Sequence, residues 1–385
     1  MMRPSVLKEF GKHETPFYYY DLRLLRENIA ALQTALAAHQ DFRVHYALKA
    51  NFDEKVLRII SAAGLGADCV SGGEVQHALD TGFAPSKIVF AGVGKSDKEL
   101  QLGISTGIGS FNVESVQELQ VLAQMAASVG RRISVSLRLN PNVNANTHAY
   151  ITTGLQENKF GIPMHELFHA LDLIGDTEFL DFEGLHFHIG SQITDLEPFK
   201  NLCNRANNLL RELADRSWVP RSVNVGGGLG VDYKNPETIP DYPPYFAVFA
   251  SMLDRRPGQE VHFELGRAIV AQMGTLVSRV LYTKRGEQVN FLILDAGMTE
   301  LIRPALYQAY HKIENLSRQW LHDIDYERYD VVGPICESSD TFGKSVKLPV
   351  SERGDYIGIK STGAYGAVMR STYNLRPEPK VVYEE

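Results

Sequence analysis

The chain is poor in cysteine and tryptophan and carries no excess of positive charge. Its 385 residues include 3 cysteines and 2 tryptophans. Cys69, Cys203 and Cys336 form neither an even framework nor a metal-type spacing. That excludes a disulfide scaffold or a cysteine-based zinc module and leads us to expect a reducing, cytoplasmic setting. Lys plus Arg number 39 against 46 Asp plus Glu, a net charge of -7, which argues against nucleic acid or an anionic membrane as partner. No apolar run is long enough to span a bilayer, and Met1 to Phe10, with Arg3, Lys8 and Glu9, lacks the apolar core of a signal peptide. There is no GxGxxG turn, low-complexity linker or short internal repeat.

What is present is an alternation. Strand-like runs fall at 42–49, 66–71, 87–91, 108–113, 132–140, 182–190, 221–225 and 260–264. Between them lie segments with helical spacing, such as Leu22, Leu25, Ile29, Leu32 and Leu36. A second is 53–63, which opens on a capping aspartate, Asp53. Eight strand-helix repeats predict a parallel (β/α)8 TIM barrel over residues 22–265; an open doubly wound sheet is the alternative. After Glu264 the texture becomes short Val-, Ile- and Leu-rich runs separated by Gly and Pro, which predicts a C-terminal mainly-β domain. The strand-like Phe17-Tyr18-Tyr19-Tyr20 run precedes the barrel. The expected second domain is therefore discontinuous, made of 1–21 and 266–385.

Active sites of such barrels form where strands end. Those positions hold Lys49, Asp68 with Ser71, Asn112, Asn140, His188 with Ser191, Gly226-Gly227-Gly228, and Glu264 with Arg267, while the strand interiors read as largely apolar. A lysine amine that is partly desolvated at a strand end loses basicity and attacks carbonyls. A solvated strand-end charge is the plain alternative, and the company of so many polar residues at one rim favours the nucleophile.

The glycine triplet admits close approach of an anion to successive backbone N–H groups, although it lacks the Lys-Ser/Thr of a nucleotide loop. Read alone it is a flexible turn. His186 and His188 alternate onto one face. His188, nearer the rim, is placed to stack on a flat ring; His186 reads as a hydrogen-bonded core histidine, and a zinc pair is a third reading without matching ligands. Glu264 would hold a proton on a pyridine nitrogen, or pair with Arg267, which is otherwise suited to a carboxylate. Cys336 lies in Gly333-Pro334-Ile335-Cys336-Glu337-Ser338, whose polarity suggests an exposed thiol able to donate a proton; a small buried residue is the alternative.

Taken in order, the segments Thr15-Pro16-Phe17, Tyr46–Asn51, Ser71–Glu74, Lys159-Phe160-Gly161, His186–Ser191, Gly226–Gly230, Glu264–Arg267, Arg303–Tyr307, Cys336-Glu337-Ser338 and Gly363-Ala364-Tyr365 resemble the fold-type III pyridoxal-phosphate decarboxylases of basic amino acids over nearly the whole chain. The resemblance implies pyridoxal 5'-phosphate as cofactor and a head-to-tail homodimer in which each site takes its Cys-Glu loop from the partner. It makes Lys49 similar to the lysine that holds the cofactor aldehyde and Cys336 the proton donor. Asp68, His188, Ser191, Gly227, Gly228, Glu264, Leu265, Gly266, Arg267 and Tyr365 match cofactor contacts. Arg267, Arg303, Tyr307, Glu337 and Tyr365 match substrate contacts, with Glu337 reading a distal amine. Leu265 departs from the family, which more often has proline there. The expected activity is decarboxylation of a diaminopimelate-type amino acid to lysine. Ornithine or carboxynorspermidine decarboxylation, and a silent cofactor-binding regulator, are the alternatives; the Cys-Glu loop argues against an alanine racemase.

Overall fold

A computed structural model describes residues 4–141, 159–321 and 325–385. The chain forms two compact units, 29–230 with 240–269, and 1–28 with 231–239 and 270–385. Segment 231–239, which follows the glycine-rich turn, belongs to the second unit, whereas the sequence pattern assigned it to the barrel. Among the described residues no helix is long and apolar enough to cross a membrane.

The first unit is a closed parallel barrel of strands Phe42–Ala47, Gly66–Cys69, Ile88–Phe90, Ser110–Val113, Ile133–Arg138, Leu180–His186, Ser222–Asn224 and Glu260–Leu265. The last pairs with the first, Val44 opposite Phe263 and His45 opposite Glu264. Most strands are shorter than the sequence suggested, because the apolar run continues into the loop that caps each strand. Helices follow where a side chain can take up free amides at their start: Asp53 accepts from Lys55 N and Val56 N, and Ser71 and Ser115 accept from Glu74 N and Glu118 N. Outside the barrel, helix Tyr242–Met252 packs aromatic rings on the closing strands. Phe263 lies 4.9 Å from Phe246, 5.1 Å from Phe249 and 5.1 Å from Phe42, centroid to centroid.

The barrel interior differs from the expected apolar one. His45, Ser110, Ser136, Ser222 and His186 are all buried on its strands, and Ser110 Oγ lies 3.4 Å from Ser136 Oγ. A barrel that carries charges at one rim needs polar groups beneath them, since a buried charge over an apolar floor is costly.

The second unit is a mainly-β sheet. Its long strand Gly274–Arg285 pairs antiparallel with Phe17–Asp21, Asn290–Leu294 and Tyr356–Lys360. That strand starts only after a short helix, Arg267–Val270. Phe10, Phe17, Tyr19, Val277 and Leu316 form a compact apolar cluster in this unit.

Candidate active site

Strand Phe42–Ala47 ends in a single 3-10 turn, Leu48–Ala50. Leu48 and Ala50 are buried, which turns Lys49 the other way, with 39% of its side chain exposed. Tyr46 Oη donates to Asn51 O at 2.8 Å and fixes the exit of the turn. Lys49 Nζ lies 3.3 Å from Asp68 Oδ2. Asp68 is buried at the end of the neighbouring strand; that burial and the charge of Glu264 push its carboxyl up to about 6 against the pull of Lys49.

Glu264 is the buried charge of the rim. Its Oε1 accepts from Asn224 Nδ2 at 2.8 Å and Asn112 Nδ2 at 3.2 Å, and His186 Nε2 meets Oε2 at 3.1 Å. Burial alone would raise this carboxyl, but the His186 contact and the Lys49 charge outweigh it and hold Glu264 well below the usual carboxylate range. His186 therefore has a second use beyond the core role read from the sequence. Asn224 was missed, because the strand was read one residue too long. Its signal is the inward polar alternation Ser222, Asn224 inside an otherwise apolar segment.

His188 lies past the end of its strand, Leu180–His186, so the shared-face alternation with His186 does not extend to it. Gly227 N donates to His188 Nδ1 at 3.3 Å. Burial of the ring, then the charges of Arg138 and Lys49, push the imidazole down to about 3, so it is neutral at pH 7. A neutral flat ring suits stacking better than a charged one.

The glycine triplet is required by space as much as by flexibility. Gly226 and Gly228 have φ of 72° and 108°, and a Cβ on Gly227 would lie 2.0 Å from Glu264 O. Gly226 N donates to Asn224 Oδ1 at 2.9 Å. With Gly227 N also committed to His188, the row of amides expected for an anion is in part turned inward. Nearby, Arg267 Nη2 donates to Ser191 Oγ at 2.9 Å, a cation and a hydroxyl suited to a phosphate. Gly266 packs where a Cβ would meet Ala50 Cβ at 2.9 Å, and Leu265 is buried at the end of its strand.

Two rim residues have structural duties. Ser71 caps helix Gly72–Asp80. Glu114, unremarked in the sequence, accepts from Gly92 N at 2.9 Å, Gly161 N at 3.1 Å and Arg138 Nη1 at 2.6 Å, which ties the Lys159-Phe160-Gly161 segment to the barrel. Asn140 lies just beyond strand Ile133–Arg138.

The other expected site residues belong to the second unit. Cys336 and Glu337 are exposed on the bend after strand Tyr326–Val332. Buried Asp340 shapes that bend, accepting from Ile335 N at 2.7 Å and Met298 N at 2.6 Å. Arg303 opens the short helix Arg303–Tyr307 and is buried; its Nη1 donates to Tyr233 Oη at 2.9 Å and meets His311 Nε2 at 2.7 Å. Tyr307 and Tyr365 are half-buried, Tyr365 with φ of 56°.

On the barrel rim an amine sits beside a buried carboxylate, a second carboxylate is held ionised by three donors, and a neutral imidazole borders a turn that only glycine can occupy. These groups fit pyridoxal phosphate: the amine its aldehyde, Glu264 its ring nitrogen, and Ser191 with Arg267 its phosphate. A parallel barrel with this rim defines a pyridoxal-phosphate enzyme of the barrel-plus-β-domain class. The family described as "Pyridoxal-dependent decarboxylase, pyridoxal binding domain" matches residues 22–271. The chain is 52% identical to the diaminopimelate decarboxylase of Bacteroides thetaiotaomicron over 97% of its own length and 96% of that protein's, and 41% identical to that of Helicobacter pylori over 96% and 90%. The crystal structure of the Helicobacter pylori diaminopimelate decarboxylase complexed with L-lysine superposes with a TM-score of 0.92 at 40% identity, covering 99% of this chain and 94% of that one. The chain belongs to the diaminopimelate decarboxylase branch of the pyridoxal-dependent decarboxylases, carboxy-lyases that use pyridoxal phosphate.

Proposed function

We propose that this chain removes one carboxylate of meso-2,6-diaminopimelate as CO2 and leaves L-lysine, the last step of lysine biosynthesis, with the roles of its site residues as follows. Lys49 would hold the cofactor by its aldehyde. Glu264 would keep a proton on the ring nitrogen, His188 would border the ring, and Asp68 would steady the Lys49 amine. Gly227, Gly228, Leu265 and Gly266 would line the cofactor, and Ser191 and Arg267 would meet its phosphate. When bound, pyridoxal phosphate supplies an electron sink for the pair left as the bond to the carboxylate breaks. The thiol of Cys336 then delivers a proton to the carbon that lost CO2. The family resemblance supplies substrate roles for Arg267, Arg303, Tyr307, Tyr365 and Glu337. It also supplies a cytoplasmic homodimer in which Cys336 and Glu337 of one copy serve the Lys49 site of another.

The observation that carries the reading is the buried Glu264 carboxylate, held ionised by Asn112, Asn224 and His186 on the same rim as Lys49. Few reactions other than carbanion stabilisation need a fixed negative charge so deep beside a reactive amine. CO2 release is to be measured from meso-diaminopimelate, ornithine and carboxynorspermidine, with and without added pyridoxal phosphate. The expected result is cofactor-dependent release from meso-diaminopimelate with stoichiometric lysine. Preferential release from either of the others would overturn the substrate assignment.

A further inference from the structure

Glu337, read above as the group that recognises the distal ammonium of the substrate, is exposed on an open bend. An exposed glutamate has several accessible rotamers, and each rotation fixed on binding costs affinity. Something must hold this carboxylate if it is to select one substrate. The structure supplies a partner far along the chain: Tyr373 Oη donates to Glu337 Oε1 at 2.8 Å.

Tyr373 is itself held by a turn. Residues Tyr373–Leu375 form a short 3-10 segment in which Asn374 and Leu375 have φ of 56° and 53°. Two successive non-glycine residues in the left-handed region persist only where other contacts impose them. Here Ser371 N donates to Thr299 O at 3.0 Å and Leu375 N to Thr372 O at 2.9 Å. The same loop that carries Thr299 also carries Met298, whose amide is held by Asp340 under the Cys336–Glu337 bend. One backbone framework therefore fixes both ends of the Tyr373–Glu337 bond. The tyrosine hydroxyl remains a donor over the working pH range, since the bond to Glu337 raises its pKa from the ordinary phenol value.

We infer that Tyr373 is a positioning residue for substrate specificity: it occupies one oxygen of Glu337 and presents the other to the distal ammonium. This rests on the Glu337 assignment above. Tyr373 has no place in the bond-breaking step, so its loss acts on recognition rather than turnover.

The test uses the holoenzyme with Tyr373→Phe, Glu337→Gln and the double variant. Three quantities are read: KM and kcat for meso-diaminopimelate, the inhibition constant of D-2-aminopimelate, which keeps the reacting centre on the same skeleton without the distal amine, and cofactor absorbance. Removing the hydroxyl is expected to raise KM by about three- to tenfold. Here kcat, absorbance and the D-2-aminopimelate constant stay within twofold, and no further loss appears in the Glu337→Gln background. An unchanged KM for Tyr373→Phe, an equal loss in both backgrounds, or an equal weakening of D-2-aminopimelate would overturn the inference while leaving Glu337 in its role. An unchanged KM for Glu337→Gln would overturn the Glu337 assignment and the inference with it.

Discussion

At the scale of single residues, Lys49 is defined by what surrounds it rather than by its own position. Its amine has a close carboxylate in Asp68, and the next charge inward, Glu264, is held by amide and imidazole donors together with the charge of the lysine itself. Lys49→Ala is therefore expected to keep the fold, to lose retained cofactor and its visible absorbance, and to lower kcat by more than about a thousandfold. Wild-type absorbance in that variant would refute the assignment. A second residue prediction concerns the barrel floor. His45 is buried, its Nδ1 is 3.2 Å from Lys87 O, and its ring is 5.0 Å from that of His262. Burial, then repulsion from His262, push it down to about 3, against ~6.5 in an unfolded chain. Below ~6.5 the unfolded state binds the proton and the folded state does not, so acid favours unfolding. Each pH unit costs ~1.4 kcal/mol until the folded-state value is reached. Asp68 and Glu74, raised to about 6 and about 7 by burial, contribute with the opposite sign, so the histidine term must be isolated by comparison. Between pH 7 and pH 4.5 the wild type is expected to lose about 2–3 kcal/mol more unfolding free energy than His45→Gln. Parallel pH profiles from denaturant titration would contradict it.

At the scale of elements, the strand-helix alternation was legible because a parallel barrel buries continuous apolar runs and caps its helices with polar residues just past each strand. Lys49, Asp68, His188 and Glu264 follow directly from that rule. Three things were not legible. Strand ends were read too long, since burial continues into loops after the ladder stops; this hid Asn224 and Arg138. The polar interior at His45, Ser110 and Ser222 was masked by apolar neighbours on the alternate face. The duties of Glu114 depend on backbone amides far apart in sequence, which no local pattern reveals. Glu114 joins three loops at the rim, and its side chain is 2% exposed against 10% for Arg138. Replacing it leaves a buried guanidinium without its charge partner. Glu114→Gln is expected to cost about 3 kcal/mol of stability, and Glu114→Gln with Arg138→Met less than that single change. Denaturant midpoints of the two variants decide it; a double variant less stable than the single one would show that the pair is not the cause.

At the scale of the whole molecule, the mainly-β second unit was legible from the change in texture after Glu264, while the strand-like run Phe17–Tyr20 before the barrel is the segment that pairs with strand Gly274–Arg285. Segment 231–239 was not legible, because nothing in its composition separates it from a barrel loop. The proposed site residues divide along the same line: Lys49, Asp68, His188, Ser191, Glu264 and Arg267 lie in one unit, and Arg303, Tyr307, Cys336, Glu337 and Tyr365 in the other. The proposed function has the Cys-Glu loop of one copy serving the Lys49 site of another. Complementation tests this without a dimer structure. Lys49→Ala and Cys336→Ala each damage a different half of the site, and Cys336→Ala is expected to slow turnover while leaving cofactor bound. If the two variants are mixed in equal amounts and allowed to exchange subunits, half of the dimers are hybrids by random pairing. In each hybrid one site combines both defects, and the other combines an intact Lys49 with an intact Cys336 from the neighbouring chain. Recovery is then about a quarter of wild-type activity, from parents that are each nearly inactive. If the loop instead served the Lys49 of its own chain, every site in every hybrid would keep one defect, and mixing would recover nothing above the average of the parents. Activity followed against time after mixing, with subunit exchange monitored by mass, separates a failure to exchange from a site built within one chain.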